Sequence, residues 1–474
     1  MPPGAGPGGT APGGAGAGGA IPGAVPGWIP PAPPAPSQSH IPGPIPGLMT
    51  NLNDRKLFSF YVNPNLTETW TDNFNFTTKH QQENYRTSLG LGGVVLVNGA
   101  TTKASISSNV AFAYDTADPS GGVKPFPTLN AALTQIVSPR LTLTATDSYT
   151  RNDQPSQADT FGLNRQRQTF SSNSFGLSAN WLIDIVPTQF YYRNAFFSSG
   201  NADTVANTLG ANASTRIGAL NTVRAGYEYS YSSTTGNTTS NTTSTTTNNS
   251  TIPAATSGSG SSQTLYGSLS RQLGQFTSAG ISSSYTLQSQ NDARIWNVSF
   301  FSTYGLPSGL SMSSSIGYSV LSSDNQGDSS GITTNSSLSY RFTRAVVAVS
   351  AYRDFRQTAI EGQNFGIVQT SGYSGSLLYT FTPLFSGNAQ VAYTTNSSTG
   401  VGNNSSSPNS NTFTAGAGLN WRMLRWLSST LQYTYSLQSS SGNSTSGTVN
   451  ANGTVTSNGN VTVNTVTFSL VGAF

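Results

Sequence analysis

The chain has 474 residues, of which 8% are charged and 35% hydrophobic, with a net charge of +4 and no cysteine. The lack of cysteine excludes disulfides, thiolate metal sites and cysteine nucleophiles, and so small a net charge does not indicate nucleic-acid binding. So low a share of charged residues is unusual for a soluble protein, and 20 Tyr, 23 Phe and 6 Trp are too many for a disordered chain. No run of about 18 apolar residues occurs, which excludes a transmembrane helix but leaves a transmembrane barrel possible.

Residues 1–48 consist almost only of Gly, Pro and Ala, with Ile/Val-Pro-Gly steps such as Ile21-Pro22-Gly23. Proline removes backbone donors and glycine raises chain entropy, so we expect an extended, disordered arm in the periplasm. It would be a linker, or a segment that docks in the periplasm or occupies the lumen. No signal-peptide pattern is visible in these residues, so an exported chain is expected to be a mature or recut form.

From about residue 57 to residue 474, apolar and polar side chains alternate with a period of two. Examples of the apolar register are Phe58, Phe60 and Val62 near the start and Val466, Phe468 and Leu470 near the end. This pattern predicts about 20 β-strands (range 16–22) with one apolar face each, and no amphipathic helix between them. No interval is large enough for a separate plug domain.

The connections alternate in length along the chain. Short turns, such as the one at Ser138-Pro139, are separated by long polar segments, such as residues 233–262 and 396–411. Short turns at one rim and long loops at the other are typical of bacterial outer-membrane barrels. We therefore predict an all-β, antiparallel, up-and-down transmembrane barrel with an even number of strands, short periplasmic turns and long extracellular loops.

Aromatic residues concentrate at the two ends of the predicted strands. The clearest candidates for the membrane interface are Trp70 at the loop end and Trp181, Phe381, Trp421, Trp426 and Phe474 at the turn end. Tyr and Trp prefer the headgroup region, which favours two interfacial belts, although aromatics are also common in strands generally. The terminal Phe474 is similar to the C-terminal signal recognised by the barrel-insertion machinery.

Two segments resemble a known family. They are Asn63–Phe76 (NPNLTETWTDNFNF) and Ser138–Asp153 (SPRLTLTATDSYTRND). They are similar to segments of outer-membrane barrels found with exosortase-linked exopolysaccharide clusters. The resemblance implies an outer-membrane location and an association with surface polysaccharide, and it brings no catalytic residues.

Nothing in the sequence indicates catalysis. The two histidines are His40, in the Pro/Gly arm, and His80, in the first long loop. Neither has a second histidine or a carboxylate cluster at the spacing of a metal site or a catalytic triad. We therefore predict no enzyme activity, no metal and no cofactor.

A few charges lie opposite the apolar register. They are Arg86, Arg193, Arg224 and Glu228, which we expect to line the lumen, because a cation facing lipid at mid-depth costs about 2–4 kcal/mol. They would form either a mildly cationic, anion-favouring pore lining or an Arg–Glu brace of the wall. Asp147 does not fit, since it shares the apolar register of its strand; it would lie at the outer rim, or a bulge would reset the register there.

The leading functional expectation is a passive, porin-like channel for small hydrophilic solutes, because about 20 strands enclose a wide lumen. The alternatives are a barrel that exports or anchors exopolysaccharide, and a structural surface barrel with polar Ser/Thr/Asn loops. Expected partners are outer-membrane lipid and lipopolysaccharide, the barrel-insertion machinery, and surface polysaccharide or a periplasmic partner of the arm, but not nucleic acid.

Overall fold

The computed structural model describes residues 57–76, 81–153, 169–199, 202–236, 258–289, 292–323, 328–360, 363–398, 409–441, 448–449, 455–456 and 460–474. The predicted arm, residues 1–48, and both histidines lie outside these residues. The description of the arm therefore stays a prediction.

Twenty strands form one sheet, and a two-residue pair forms a second, small sheet. The wall strands are β1 (Phe58–Thr71), β2 (Asn84–Asn98), β3 (Thr102–Asp115), β4 (Lys124–Ser138), β5 (Leu141–Asn152), β6 (Phe170–Ile183), β7 (Val186–Ser199), β8 (Ala202–Ile217), β9 (Asn221–Gly236), β10 (Gly258–Gly274), β11 (Thr277–Gln288), β12 (Ala293–Gly305), β13 (Leu310–Ser323), β14 (Ser329–Arg341), β15 (Ala345–Ile360), β16 (Gln363–Thr382), β17 (Phe385–Ser398), β18 (Asn409–Arg422), β19 (Leu427–Ser441) and β22 (Asn460–Gly472). The small pair is β20 (Thr448–Val449) and β21 (Val455–Thr456), and one 3-10 turn occupies Pro119–Gly121.

The sheet closes on itself. Each wall strand pairs antiparallel with its neighbours in the chain, and β1 pairs with both β2 and β22, with Leu66 opposite Leu89 on one side and Leu470 on the other. Closure leaves no unpaired edge, which is why the last strand is as regular as an interior one. The predicted fold class, a closed antiparallel barrel of about 20 strands, is confirmed.

Alternation along each strand separates a lipid face from a lumen face. In β2, the side chains of Tyr85, Leu89 and Leu91 are exposed on the outside, whereas Asn84 and Arg86 are buried inside. Inward hydroxyls hydrogen-bond across neighbouring strands. Examples are Thr67 to Ser469 (3.1 Å), Thr208 to Ser230 (2.7 Å) and Thr264 to Thr286 (3.0 Å). The barrel therefore presents apolar side chains to lipid and Ser, Thr and Asn to its interior.

The short turns all lie at one rim, where β1 begins and β22 ends. Several need a left-handed backbone, with φ of 55° at Asp184, 70° at Gly218 and 99° at Gly309. Glycine adopts this conformation without a steric penalty, and Asp tolerates it better than most residues do. The turn positions agree with those predicted from the sequence.

Asp147 lies on the outside of the barrel, about halfway along β5. It pairs with Ala131 in β4, and its carboxylate accepts a hydrogen bond of 3.0 Å from the Asn173 amide of β6. The only register shift between β4 and β5 falls at Ile136/Ser138, close to the turn. The suggested bulge at Asp147 is therefore wrong, and so is the suggested position at the outer rim.

Within the described ranges, no helix is long and apolar enough to cross a membrane. Those ranges also contain no element of plug size, since the wall strands, the short β20–β21 pair and the 3-10 turn account for all their regular structure.

Candidate functional site

Two groups of charged and aromatic side chains on the inner face include the predicted lumen residues, one at the long-loop rim and one on the wall. The rim group centres on Arg86, the third residue of β2. Its guanidinium donates to both carboxylate oxygens of Asp115, at the end of β3, and to both of Asp153, just beyond β5, with nitrogen–oxygen distances of 2.5–2.8 Å. Asn84 donates a further hydrogen bond of 2.7 Å to Asp115.

This group braces the wall. The side chains of Arg86, Asp115 and Asp153 are only 7%, 3% and 4% exposed, and the guanidinium lies 5.3 Å from the centre of the Phe126 ring of β4. Bidentate Arg–carboxylate pairs fix geometry strongly, and these join the ends of β2, β3 and β5. Arg86 faces inward, but two aspartates neutralise it, so it supplies no free positive charge to the lumen.

A second ion pair lies in the loop between β3 and β4. The Lys124 ammonium stands 2.8 Å from the Asp118 carboxylate and, together with the Ser120 hydroxyl, holds the pKa of Asp118 below its usual value. Both side chains are about one-third exposed. Solvent screens such a pair, so it should contribute less to stability than the ion pairs of the buried Arg86 group.

The first long loop turns inward over the same rim. Phe76 is buried against Val461 and Val463, which lie on the inward face of β22. Asp72 accepts hydrogen bonds from the backbone and the side-chain amide of Asn464, at 2.7 and 2.6 Å. These contacts hold the start of the loop, residues 72–76, against β22 at the rim of the barrel.

The wall group brings three of the predicted lumen residues together. The Tyr191 hydroxyl of β7 donates a 2.6 Å hydrogen bond to Glu228 of β9, and the Arg193 guanidinium lies 4.8 Å from the centre of the Tyr191 ring. Arg224 faces inward on β9, four residues before Glu228. Arg193 is exposed and Arg224 and Glu228 are half-buried, so this group is open to the lumen.

Glycines make this arrangement possible. Tyr191 pairs with Gly210 of β8, and Gly210 pairs with Glu228. A Cβ atom on Gly210 would lie 2.2 Å from the Tyr191 ring, and one on Gly226 would lie 2.4 Å from the ring of Tyr266 in β10. Each tyrosine therefore lies flat on a neighbouring strand where a side chain is missing, and Tyr191 reaches across β8 to β9.

Arg86, Arg193, Arg224 and Glu228 are predicted from the sequence as lumen residues, whereas the inward tyrosines are not. In the segment Phe190-Tyr191-Tyr192, adjacent aromatics obscure the register, since only Tyr191 faces the lumen. The signal that could have found it is the glycine opposite each tyrosine, which becomes visible only once the strand pairing is known.

The predicted interface aromatics lie at the strand ends. Those at the short-turn rim are exposed on the outside, namely Trp181, Phe381, Trp421, Trp426 and Phe474, whereas Trp70 lies near the loop end of β1 and is half-buried. The rings of Trp426 and Phe474 are 5.4 Å apart. Their role at the membrane interface stays a prediction.

Among the residues that the structure describes, no group of three or more His, Asp or Glu is placed to hold a metal ion.

Neither a protein-family model nor a curated protein sequence matches the chain. Solved structures do match. The ferric enterobactin receptor PfeA in complex with BCV-L6 has a TM-score of 0.51 at 11% identity, over 88% of this chain and 81% of that chain. The siderophore receptor PirA from Acinetobacter baumannii has a TM-score of 0.51 at 8% identity, over 88% and 80%. The FrpB iron transporter from Neisseria meningitidis has a TM-score of 0.47 at 9% identity, over 88% and 82%.

At these identities the likeness establishes the fold. Together with the closed barrel, it places the chain in the bacterial outer membrane. It also corrects the functional expectation. The similar barrels are siderophore and ferric enterobactin receptors, not passive porins, so the prediction of a passive, porin-like channel is wrong.

Proposed function

We propose that this protein is an outer-membrane receptor that binds a hydrophilic, anionic chelate inside its barrel and passes it inward, with no catalytic step. The observation that carries the proposal is the wall group, in which Tyr191, Arg193 and Glu228 are held together on the lumen face. Guanidiniums pair with the oxygens of an anionic ligand, and phenol rings supply flat, amphipathic contact area. The solved barrels of similar fold are a ferric enterobactin receptor and a siderophore receptor.

The group is preorganised for such a ligand. Glu228 and Gly210 fix the Tyr191 ring, and that ring in turn supports the Arg193 guanidinium. A side chain held in place before binding loses less conformational entropy when the ligand arrives. Arg193 and Arg224 outnumber the single carboxylate of Glu228, so the group favours a negatively charged ligand.

The test uses the full chain in detergent, with ferric enterobactin as the probe and tryptophan fluorescence as the readout. We expect saturable binding, about tenfold weaker in the variant Arg193→Gln/Arg224→Gln and unchanged in Arg294→Gln, whose side chain is exposed on the outside of β12. Folding of each variant is checked by heat-modifiable migration. Absence of saturable binding, or equal binding by both variants, would overturn the proposal.

Surface polysaccharide is proposed as a partner on the strength of the two family-like segments. Both segments end at the long-loop rim: the first contributes Asp72 and Phe76 to the start of the first loop, and the second ends at Asp153 in the Arg86 group. Co-purification of polysaccharide with the intact barrel, and its loss on exchanging the loop residues 72–83, would test this. Lipopolysaccharide, the insertion machinery and a periplasmic partner of the arm remain proposed partners.

A further inference from the structure

The short-turn rim carries an excess of positive charge. Eight lysine and arginine residues lie either in the short turns or within three residues of the strand ends that these turns connect. Arg271 is the farthest from its turn, and it pairs with Asn221, the first residue of β9. The members of this basic rim are Lys103, Arg140, Arg216, Arg271, Arg341, Arg344, Arg422 and Arg425. In the described part of this rim, the only acidic side chain is Asp184.

The opposite rim has the reverse balance. By the same criterion, its described residues include nine carboxylates and four cations: Glu68, Asp72, Glu83, Asp115, Asp118, Asp153, Asp203, Asp292 and Asp328, against Arg86, Lys124, Arg151 and Arg294. The charges of the described residues are therefore polarised along the barrel axis.

The cations of the basic rim are available to a partner. Ion pairs in the described residues involve Arg86 and Lys124, both at the other end, and none involves a member of the basic rim. Seven of its eight members are exposed, and Arg422 is half-buried. Lys103, Arg216, Arg341 and Arg422 lie on the lumen register of their strands, whereas Arg140, Arg344 and Arg425 lie in turns and Arg271 lies on the outward face of β10. Unpaired cations at this density repel one another, so a ligand of opposite charge would stabilise them.

The position of these cations relative to the lipid-facing side chains indicates which class of ligand they bind. Arg425 stands between Leu424 and Trp426, which are 49% and 45% exposed on the lipid side. Arg271 shares the outward face of β10 with Leu269 and Leu273, which are 53% and 64% exposed. Exposed aromatic and aliphatic side chains of a barrel mark the edge of the hydrocarbon layer, so the neighbouring guanidiniums lie at the level of the headgroups.

We propose that the turn and outward members of the basic rim, Arg140, Arg271, Arg344 and Arg425, bind the headgroups of anionic phospholipids and so select the lipid that surrounds this end of the barrel. Clusters of four to eight Lys and Arg beside a membrane-spanning segment attract anionic lipid. The inference depends on the fold and on the charge pattern, and it is independent of the ligand proposed for the lumen.

Tryptophan fluorescence is a direct readout, because Trp181, Trp421 and Trp426 lie at this rim. The full chain is reconstituted in phosphatidylcholine vesicles containing phosphatidylglycerol, with the bromine quencher on one lipid or the other. We expect brominated phosphatidylglycerol to quench about twofold or more strongly than its share of the lipid dictates, and salt to reduce this preference.

The variant Arg140→Gln/Arg271→Gln/Arg344→Gln/Arg425→Gln should abolish the preference. The matched control, Lys124→Gln/Arg151→Gln/Arg294→Gln/Arg353→Gln, removes four cations outside the basic rim and should keep it. The proposal would be overturned if quenching of the native chain followed the bulk lipid composition, or if the first variant kept the preference for phosphatidylglycerol. An acidic protein would then be the alternative partner of the basic rim. If the first variant does not fold, the salt titration of the native chain decides, since a preference that salt leaves unchanged is not electrostatic.

Discussion

Tyr191 and Glu228 meet across a strand that separates them: the tyrosine hydroxyl lies 2.6 Å from the glutamate Oε2, above Gly210 of the intervening strand. Because a Cβ atom at Gly210 would stand 2.2 Å from the tyrosine ring, the missing side chain is a requirement of this contact.

We therefore expect Gly210→Ala to lower the free energy of unfolding by about 1–3 kcal/mol, the usual cost of overpacking. Urea unfolding in vesicles, followed by heat-modifiable migration, measures it. In the background Tyr191→Ala, the same alanine has nothing to displace and should cost much less. Equal costs in the two backgrounds would mean that the ring does not depend on the glycine.

The buried Arg86 group predicts a large loss of stability when one partner is removed. Arg86→Gln leaves Asp115 and Asp153 buried without their counter-charge, and breaking a buried pair typically costs about 3–5 kcal/mol. The control is Lys124→Gln, which breaks an exposed pair and should leave the urea midpoint close to that of the native chain. Similar urea midpoints for the two variants would show that water reaches the Arg86 group and that its ion pairs contribute little to the stability of the barrel.

The inward turn of the first loop predicts restricted access from the loop side. The chain has no cysteine, so Ser268→Cys, on the inward face of β10, gives a single reporter thiol in the lumen. Replacing Phe76 and Asp72 by alanine removes the contacts with Val461, Val463 and Asn464, and we expect the rate of labelling by a bulky maleimide to rise several-fold. A small maleimide serves as control, because its rate should change little. An unchanged rate with the bulky reagent would mean that the loop does not obstruct the mouth.

The sequence was sufficient for the strand number and the turn positions, because alternation with a period of two is local, and the same alternation is the basis for assigning Arg193, Arg224 and Glu228 to the lumen face. It was insufficient for the contacts of these residues. The Arg86 group joins β2, β3 and the end of β5 and depends on the tilt and stagger of the wall. The Tyr191 contact depends on the register of three strands, and register between strands is not visible in any one of them.

We expect the barrel to become more stable when Asp147 is replaced by a neutral residue. Its carboxylate lies on the outer face, about halfway along β5, where a charge loses its hydration, although the penalty for an acidic residue is smaller than for Arg or Lys. In Asp147→Asn the neutral amide oxygen is still available to accept the hydrogen bond from Asn173, so we expect unfolding to cost about 1 kcal/mol more. Asp292→Asn, in a turn at the long-loop rim, is the control and should be neutral. A destabilised Asp147→Asn barrel would imply that the carboxylate has a partner in the intact membrane.

The final aromatic residue predicts a difference between folding and assembly. Phe474 is 65% exposed, its ring lies 5.4 Å from that of Trp426, and its backbone exchanges two hydrogen bonds with Val62. Substitution of either ring by alanine removes the same ring contact, so Phe474→Ala and Trp426→Ala should refold into vesicles with similarly small losses of stability. In cells, only Phe474→Ala removes the proposed signal for the insertion machinery, and we expect it to lower the amount of assembled barrel much more than Trp426→Ala at equal synthesis. If the two variants lost similar amounts of assembled barrel in cells, as well as similar stability in vesicles, the ring contact alone would account for both effects. Phe474 would then have only a packing role.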